Sequence, residues 1–422
     1  MSYIDLNYKP SESDLVCLFY MEPSEGVTFE KAAEHVTGES SIGTWTDVGT
    51  MKPEIRDRLQ PHVFYLSEND HTMKIAYPLE LFEADNVPQI LSSVAGNIYG
   101  MKAIENLRLL DFTLPEGVIK SFKGPAFGIQ GIRKILGVKE RPLVGTIIKP
   151  KVGLQPDEHA QVALESWIGG CDIVKDDENL TNQKFNPFEE RIAKTIDARE
   201  KAESQTGETK IYMPNVTAET NEMLKRMEYV KSQGGRYIML DVITLGFSAL
   251  QTARERAEKL GLVIHAHRAM HAAFTRNKKH GITMLALAKL YRLIGMDQLH
   301  IGTAVGKMEG PVMEVMSIRD EMVFDEVGET DGRLSQKWFG RKPVFPVCSG
   351  GLHAGHIPAL MNIMKKDVII QAGGGVHGHP DGTISGAKSL RQAVDAVMSG
   401  VSLQDYATKH IELMKALDKF MK

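Results

Sequence analysis

The chain has 422 residues, 42% of them hydrophobic, with 50 basic against 54 acidic side chains and a formal net charge of −4. That length predicts one large and one smaller domain around sizeable cores, and the lack of a basic excess excludes a nucleic-acid footprint. No apolar run approaches the roughly 18 residues of a membrane span, and no charged-then-apolar leader opens the chain. Three scattered cysteines (Cys17, Cys171, Cys348) fit a reducing, cytoplasmic compartment rather than a disulfide framework.

In chain order, residues 14–21, 62–67 and 72–78 read as strands, and Phe29, Ala32, Ala33 and Val36 mark the apolar face of a helix. A second helix is predicted over 87–94 and a closing strand over 104–114. This order gives a small α+β, ferredoxin-like domain over residues 1–130, with glycine and proline between 115 and 141 marking a connecting segment. From about residue 142 strands and helices alternate. Strands are predicted at 143–148, 172–175, 210–213, 236–241, 262–267, 298–301, 344–349 and 367–372, with helices at 156–168, 218–232, 249–260 and 283–294. Strands alternating with helices in this number predict a (β/α)8 TIM barrel, with C-terminal helices, over residues 131–422.

Catalytic groups of such a barrel sit where its strands end, on one rim. Lys149 and Lys151 follow the first strand. Lys175 closes the second, with Asp177 and Glu178 just beyond. Asn215 follows the third, His267 and Arg268 end the fifth, and His300 lies on the sixth. Ser349-Gly350-Gly351 ends the seventh and Gly373-Gly374-Gly375 follows the eighth. By itself Lys-Asp-Asp-Glu is an ordinary solvated charge run. On a rim, Asp177 and Glu178 offer the hard oxygen ligands that Mg2+ prefers. An ammonium at Lys175 would repel that cation, so the lysine has to be neutral or converted into an anion.

The two glycine turns let backbone N–H groups converge on anions, and with Arg268 and a lysine near strand one they suggest a substrate with two phosphates. His265, His267 and His271 invite a zinc reading, but no HExxH glutamate is present and Arg268 lies between His267 and His271. Gly302-Thr-Ala-Val-Gly306-Lys307-Met-Glu-Gly310 reads either as a surface loop or as a lid carrying one lysine to the reacting centre.

With these motifs in order, the chain resembles the large subunit of ribulose-bisphosphate carboxylase/oxygenase (RuBisCO). The family signature Gly-x-Asp-x-x-Lys-x-Asp-Glu stands here as Gly170, Asp172, Lys175, Asp177 and Glu178, and the likeness runs from Glu39 to Gly386. The resemblance implies that an activator CO2 carbamylates Lys175 and that the carbamate, Asp177 and Glu178 hold Mg2+. It implies that Lys149 handles the proton at C3 of ribulose 1,5-bisphosphate, with Lys151 tuning charge beside it, and that His267 handles a substrate hydroxyl and its proton. Arg268, His300, Ser349, Gly350 and Gly351 would lie against one phosphate, Gly373 and Gly374 against the other, and Lys307 would be the lid lysine. Glu39, Thr44, Trp45 and Asn97 match segments that reach into a neighbouring subunit's barrel, so a homodimer with shared active sites is expected, with larger assemblies of dimers open to it.

The implied reaction joins CO2 to the bisphosphate through an enediolate to give two 3-phosphoglycerate, with O2 competing for the same carbanion. The chain lacks the terminal extensions of plant-type large subunits, and Ile301 stands where a small or hydroxylated residue is common. These departures resemble the archaeal form III group, whose bisphosphate derives from nucleotides such as AMP. Two alternatives remain at this point: an enolase or isomerase relative that does not carboxylate, and a non-catalytic sugar-phosphate binder.

Overall fold

The computed structural model describes residues 2–44, 46, 48–306 and 312–421. The chain forms two compact units. The first comprises Met1–Gly124, Met270–Gly295 and Phe324–Arg341, and the second Pro125–Ala269, Met296–Val323 and Lys342–Lys422. Neither unit is continuous in sequence.

The first unit is built on a sheet of β1 (Leu15–Pro23), β2 (His62–Ser67), β3 (Thr72–Tyr77) and β4 (Ile104–Thr113), in the order β4-β1-β3-β2 with antiparallel pairing. Helices Phe29–Glu39 and Val87–Val94 fill the two crossovers. Thr28 caps the first by accepting from Lys31 N, and Asn86 caps the second by accepting from Gln89 N. Phe29, Ala32, Ala33 and Val36 are buried, as their helical spacing demands. A further helix, Pro53–Leu59, buries no residue, so it carries no apolar period by which to find it in the sequence.

Two later segments belong to this unit. Gly281–Ile282 adds in parallel to β4, and the helix that follows, Met284–Ile294, is buried along its whole length. Its Lys289 forms a buried ion pair with Asp111 of β4 at 2.8 Å. The alternating pattern places this helix in the barrel series, whereas its contacts with β4 group it with the first unit.

The second unit is an eight-stranded parallel sheet. Its strands are β5 (Leu143–Ile147), β6 (Ile173–Lys175), β7 (Ile211–Met213), β8 (Tyr237–Asp241), β9 (Val263–His267), β10 (Gln298–His300), β11 (Phe345–Ser349) and β12 (Ile369–Gln371). Their order is β7-β6-β5-β12-β11-β10-β9-β8. A parallel bridge between Asn215 and Met239 joins the two ends and closes the barrel. Helices such as Pro156–Ile168, Phe188–Thr206, Thr220–Ser232 and Phe247–Leu260 connect the strands.

Inward-facing Leu143, Ile173, Ile211, Tyr237, Val263, Phe345 and Ile369 form the apolar floor of the barrel, with Ile129, Ile132 and Leu136 of helix Gly128–Leu136 packed against them. Burying one such side chain contributes about 1.5–3 kcal/mol. Asp172, Asp297 and Asp367 stand just ahead of β6, β10 and β12. Asp172 takes a two-pronged contact from Arg141 at 2.6 and 2.7 Å, and Asp367 pairs with Arg133 at 2.7 Å. Asp297 accepts from the backbone of Phe127 and Ile264.

Candidate active site

At the opposite end of the strands the barrel turns polar. Lys175, the last residue of β6, is buried and points inward. Its Nζ donates to the carbonyl of Asp176 at 2.7 Å and lies 3.4 Å from Met239 Sδ. The nearest carboxylate oxygen recorded for it, Glu178 Oε2, is 3.9 Å away. Burial pushes this amine below the ordinary lysine value, against the pull of Glu178, Asp177 and Asp241.

Asp177 accepts from Lys149 Nζ at 2.6 Å and from Asn179 at 2.9 Å. Burial alone would raise its carboxyl, but these two donors hold it below the usual carboxylate range. Lys151, two residues past Lys149, is exposed. His267 Nε2 lies 3.6 Å from Glu178 Oε2, and its Nδ1 lies 3.2 Å from Asp241 Oδ1. Asn215 Nδ2 bridges the carbonyl of Glu178 and Asp241 Oδ2 at 3.2 and 3.3 Å. Lys149, Lys175, Asp177, Glu178, Asn215 and His267 therefore converge, and Asp241 joins them. Asp241 went unassigned in the sequence, although it ends a predicted strand and the rim rule alone would have found it.

A second layer was also missed. Asp176, between Lys175 and Asp177, is fully buried and turns the other way. It accepts from Tyr212 OH at 2.7 Å and Asn215 N at 3.0 Å, and contacts Arg191 Nε and His159 Nε2 at 3.3 and 3.1 Å. Burial raises its carboxyl, yet Arg191 and His159 bring it down to about 2. Strand alternation sends Lys175 and Asp177 inward and Asp176 outward, a signal present in the sequence. The Asp176 cluster anchors the turn that carries the two inward carboxylates.

His300 stacks edge-on against His267, with ring centroids 4.7 Å apart. Arg268 is buried. Desolvation lowers its guanidinium to about 10, with Glu314 opposing. A side chain at Gly302 (φ 97°) would come within 2.8 Å of Arg268 Nη2, so the glycine makes room for the guanidinium. Ser349 ends β11, and Gly350 and Gly351 follow it. Gly373 follows β12, where an added Cβ would stand 3.1 Å from Lys149 Cε. In the first unit Asn97 Nδ2 donates to Glu39 Oε1 at 3.3 Å, and Thr44 lines a cleft with Tyr3, Lys52 and Arg56. Trp45 and Lys307 lie outside the described residues.

Among the described residues no three His, Cys, Asp or Glu side chains gather as a ready-made metal site. For a cation the rim offers the carboxylates of Asp177 and Glu178 beside the amine of Lys175. The donor set nevertheless fits Mg2+ bound through a carbamate: both carboxylates are oxygen donors, and Lys175 is buried with its amine shifted toward neutrality. No helix among the described residues is long and apolar enough to cross a membrane.

Comparison with known proteins agrees with this geometry. Residues 128–420 match the family model for the ribulose bisphosphate carboxylase large chain, catalytic domain, and residues 2–118 match that of its N-terminal domain. Ribulose bisphosphate carboxylase of Methanosarcina mazei is 56% identical, covering 100% of this chain and 99% of that protein. Its counterpart from Pyrococcus abyssi is 51% identical, covering 100% and 96%. The crystal structure of octameric RuBisCO from Pyrococcus horikoshii OT3 with sulfate superposes with a TM-score of 0.93 at 51% identity, covering 99% of this chain and 97% of that one. The dimeric archaeal RuBisCO from Hyperthermus butylicus gives 0.94 at 45%, covering 99% and 98%. The chain belongs to the ribulose bisphosphate carboxylase large-chain family of carboxy-lyases, in its archaeal type.

Proposed function

We propose that this protein joins CO2 to ribulose 1,5-bisphosphate, adds water to the carboxylated product and cleaves it to two 3-phosphoglycerate, with O2 competing for the same carbanion. The observation that carries this reading is the amine of Lys175, buried beside two carboxylates yet 3.9 Å from the nearer one. A neutral amine is the form that adds CO2, and the resulting carbamate with Asp177 and Glu178 would hold Mg2+. When bound, that ion supplies Lewis-acid stabilisation of the negative charge that develops on the substrate oxygens.

This chain's own residues account for the remainder. Lys149 handles the proton at C3, and Lys151 adds positive charge beside it. His267, oriented by Asp241 at 3.2 Å, holds a substrate hydroxyl and shuttles its proton. Arg268, His300 and the Ser349-Gly350-Gly351 turn hold one phosphate, and Gly373 and Gly374 hold the other. Lys307 stabilises the carboxylated intermediate late in the reaction. Glu39, Thr44, Trp45 and Asn97 complete the site of a neighbouring copy, so the working unit is a dimer, which can build larger assemblies. Three buried free cysteines suit a cytoplasmic setting, and the archaeal type fits a bisphosphate drawn from nucleotide breakdown.

The test is fixation of labelled CO2 with ribulose bisphosphate, run without O2 after preincubation with bicarbonate and Mg2+, beside Lys175→Ala. Label in 3-phosphoglycerate that disappears in the variant is the expected result. Tight, Mg2+-dependent bisphosphate binding without label would replace the carboxylase reading by an enolase or isomerase.

A further inference from the structure

One hydrogen-bonded chain inside the barrel ends on His300 and adds two residues, Gln298 and His265, that have no part in the roles above. It runs from Gln298 through His265 to His300, all three buried. Gln298 Oε1 lies 2.8 Å from His265 Nδ1, and His265 Nε2 lies 2.9 Å from His300 Nε2. No hydrogen bond to the far nitrogen of His300, Nδ1, is found among the described residues.

Each contact needs an N–H on one side and a lone pair on the other. Burial keeps both rings neutral, with His265 held down at about 3 and His300 well below the ordinary imidazole value. A neutral ring carries one proton, so two arrangements satisfy both contacts. In the first, His265 donates from Nδ1 to Gln298, His300 donates from Nε2 to His265, and His300 Nδ1 is a bare lone pair. In the second, the glutamine amide is turned end for end. Its nitrogen donates to His265 Nδ1, His265 donates from Nε2, and His300 carries its proton on Nδ1. Any mixture sets two protons or two lone pairs face to face.

Amide oxygen and nitrogen have nearly the same shape, so partners decide the orientation. In the first arrangement the buried Gln298 Nε2 has no partner. The second leaves an oxygen there instead, and an under-satisfied acceptor is the more tolerable of the two. The first also aims a lone pair at any anion that meets His300. We infer that Gln298 is a positioning residue that fixes His300, through His265, as the Nδ1–H tautomer, a ready donor to an anionic substrate oxygen. The ligand class rests on the phosphate contact proposed for His300, and the relay rests on the hydrogen-bond geometry.

Two-bond proton–nitrogen NMR on the 15N-histidine-labelled protein tests both parts, with His265→Gln and His300→Gln used for assignment. The expected spectrum shows His300 protonated at Nδ1 and His265 at Nε2, with inorganic phosphate shifting the His300 Nδ1 signal. In Gln298→Met the tautomer loses its fixing partner. Its Nε2–H form should then appear, and KM for the bisphosphate should rise about tenfold with little change in kcat, the size of one charge-assisted hydrogen bond. His300 protonated at Nε2 in the unaltered protein would overturn the relay, as would an unchanged tautomer in Gln298→Met. Nδ1 protonation that ignores phosphate upholds the relay and removes the phosphate role from His300.

Discussion

Ahead of the barrel strands, charge is matched by charge. Arg141 holds Asp172 with two contacts, Arg133 holds Asp367, and Asp297 accepts from three backbone amides. Behind the same strands, at the rim, a buried lysine has carboxylates nearby but none within hydrogen-bonding distance, and imidazole rings pack edge-on against one another. Both ends are built from the same strands and the same residue types. The floor commits its polar groups to each other and gains stability. The rim leaves the Lys175 amine without a carboxylate partner, at a cost in desolvation, for a ligand to complete.

Changes at the two ends should therefore separate activity from stability. The largest effect belongs to Lys175→Met: carboxylation should fall by at least ~10³-fold, as for removal of a group the chemistry depends on, while Tm stays level or rises because a buried amine is gone. A large loss of stability in that variant would show the lysine to be structural. Asp172→Ala should do the reverse. It strands Arg141 and costs about 3–5 kcal/mol in chemical denaturation, with kcat per folded chain retained.

Acid should draw on the buried imidazoles of the barrel. His377, in the helical turn after β12 with its Nε2 3.0 Å from Thr146 Oγ1, is lowered by burial to about 4 and His265 to about 3, against an ordinary 6.5. As pH drops below the ordinary value the unfolded chain takes up protons that the folded chain refuses. The stability of these groups is thus complete above that value and drains away toward pH 4 and 3, at about 1.4 kcal/mol per pH unit for each ring. Urea melts at pH 7 and pH 5 should show this loss, with a shallower slope in His377→Asn. At the small end, Lys194 pairs with Asp157 and Glu190 on the outer surface, and Lys194→Ala should leave both activity and Tm unchanged.

Much of this contrast was legible in the chain. The barrel strands are short apolar runs with sharp ends, so Lys149, Asp177, His267 and Gly373 could be placed on one rim from their positions alone. The inward and outward alternation that separates Asp177 from Asp176 was equally present but went unused. Other features leave no local trace. Pro53–Leu59 has no apolar face, and the pairing of Gly281–Ile282 with β4 is a tertiary contact between segments distant in sequence. The partners of Asp176 come from helices Pro156–Ile168 and Phe188–Thr206 and from β7, so their meeting follows from the packing of the barrel.

The withheld amine is the centre of the account, and 13C NMR of the protein equilibrated with 13C-bicarbonate and Mg2+ tests it most directly. The predicted result is a carbamate signal stoichiometric with the chain, growing as pH rises and absent in Lys175→Ala. A protein that fixes CO2 yet shows no such signal, or keeps it in the variant, would contradict the role assigned to Lys175.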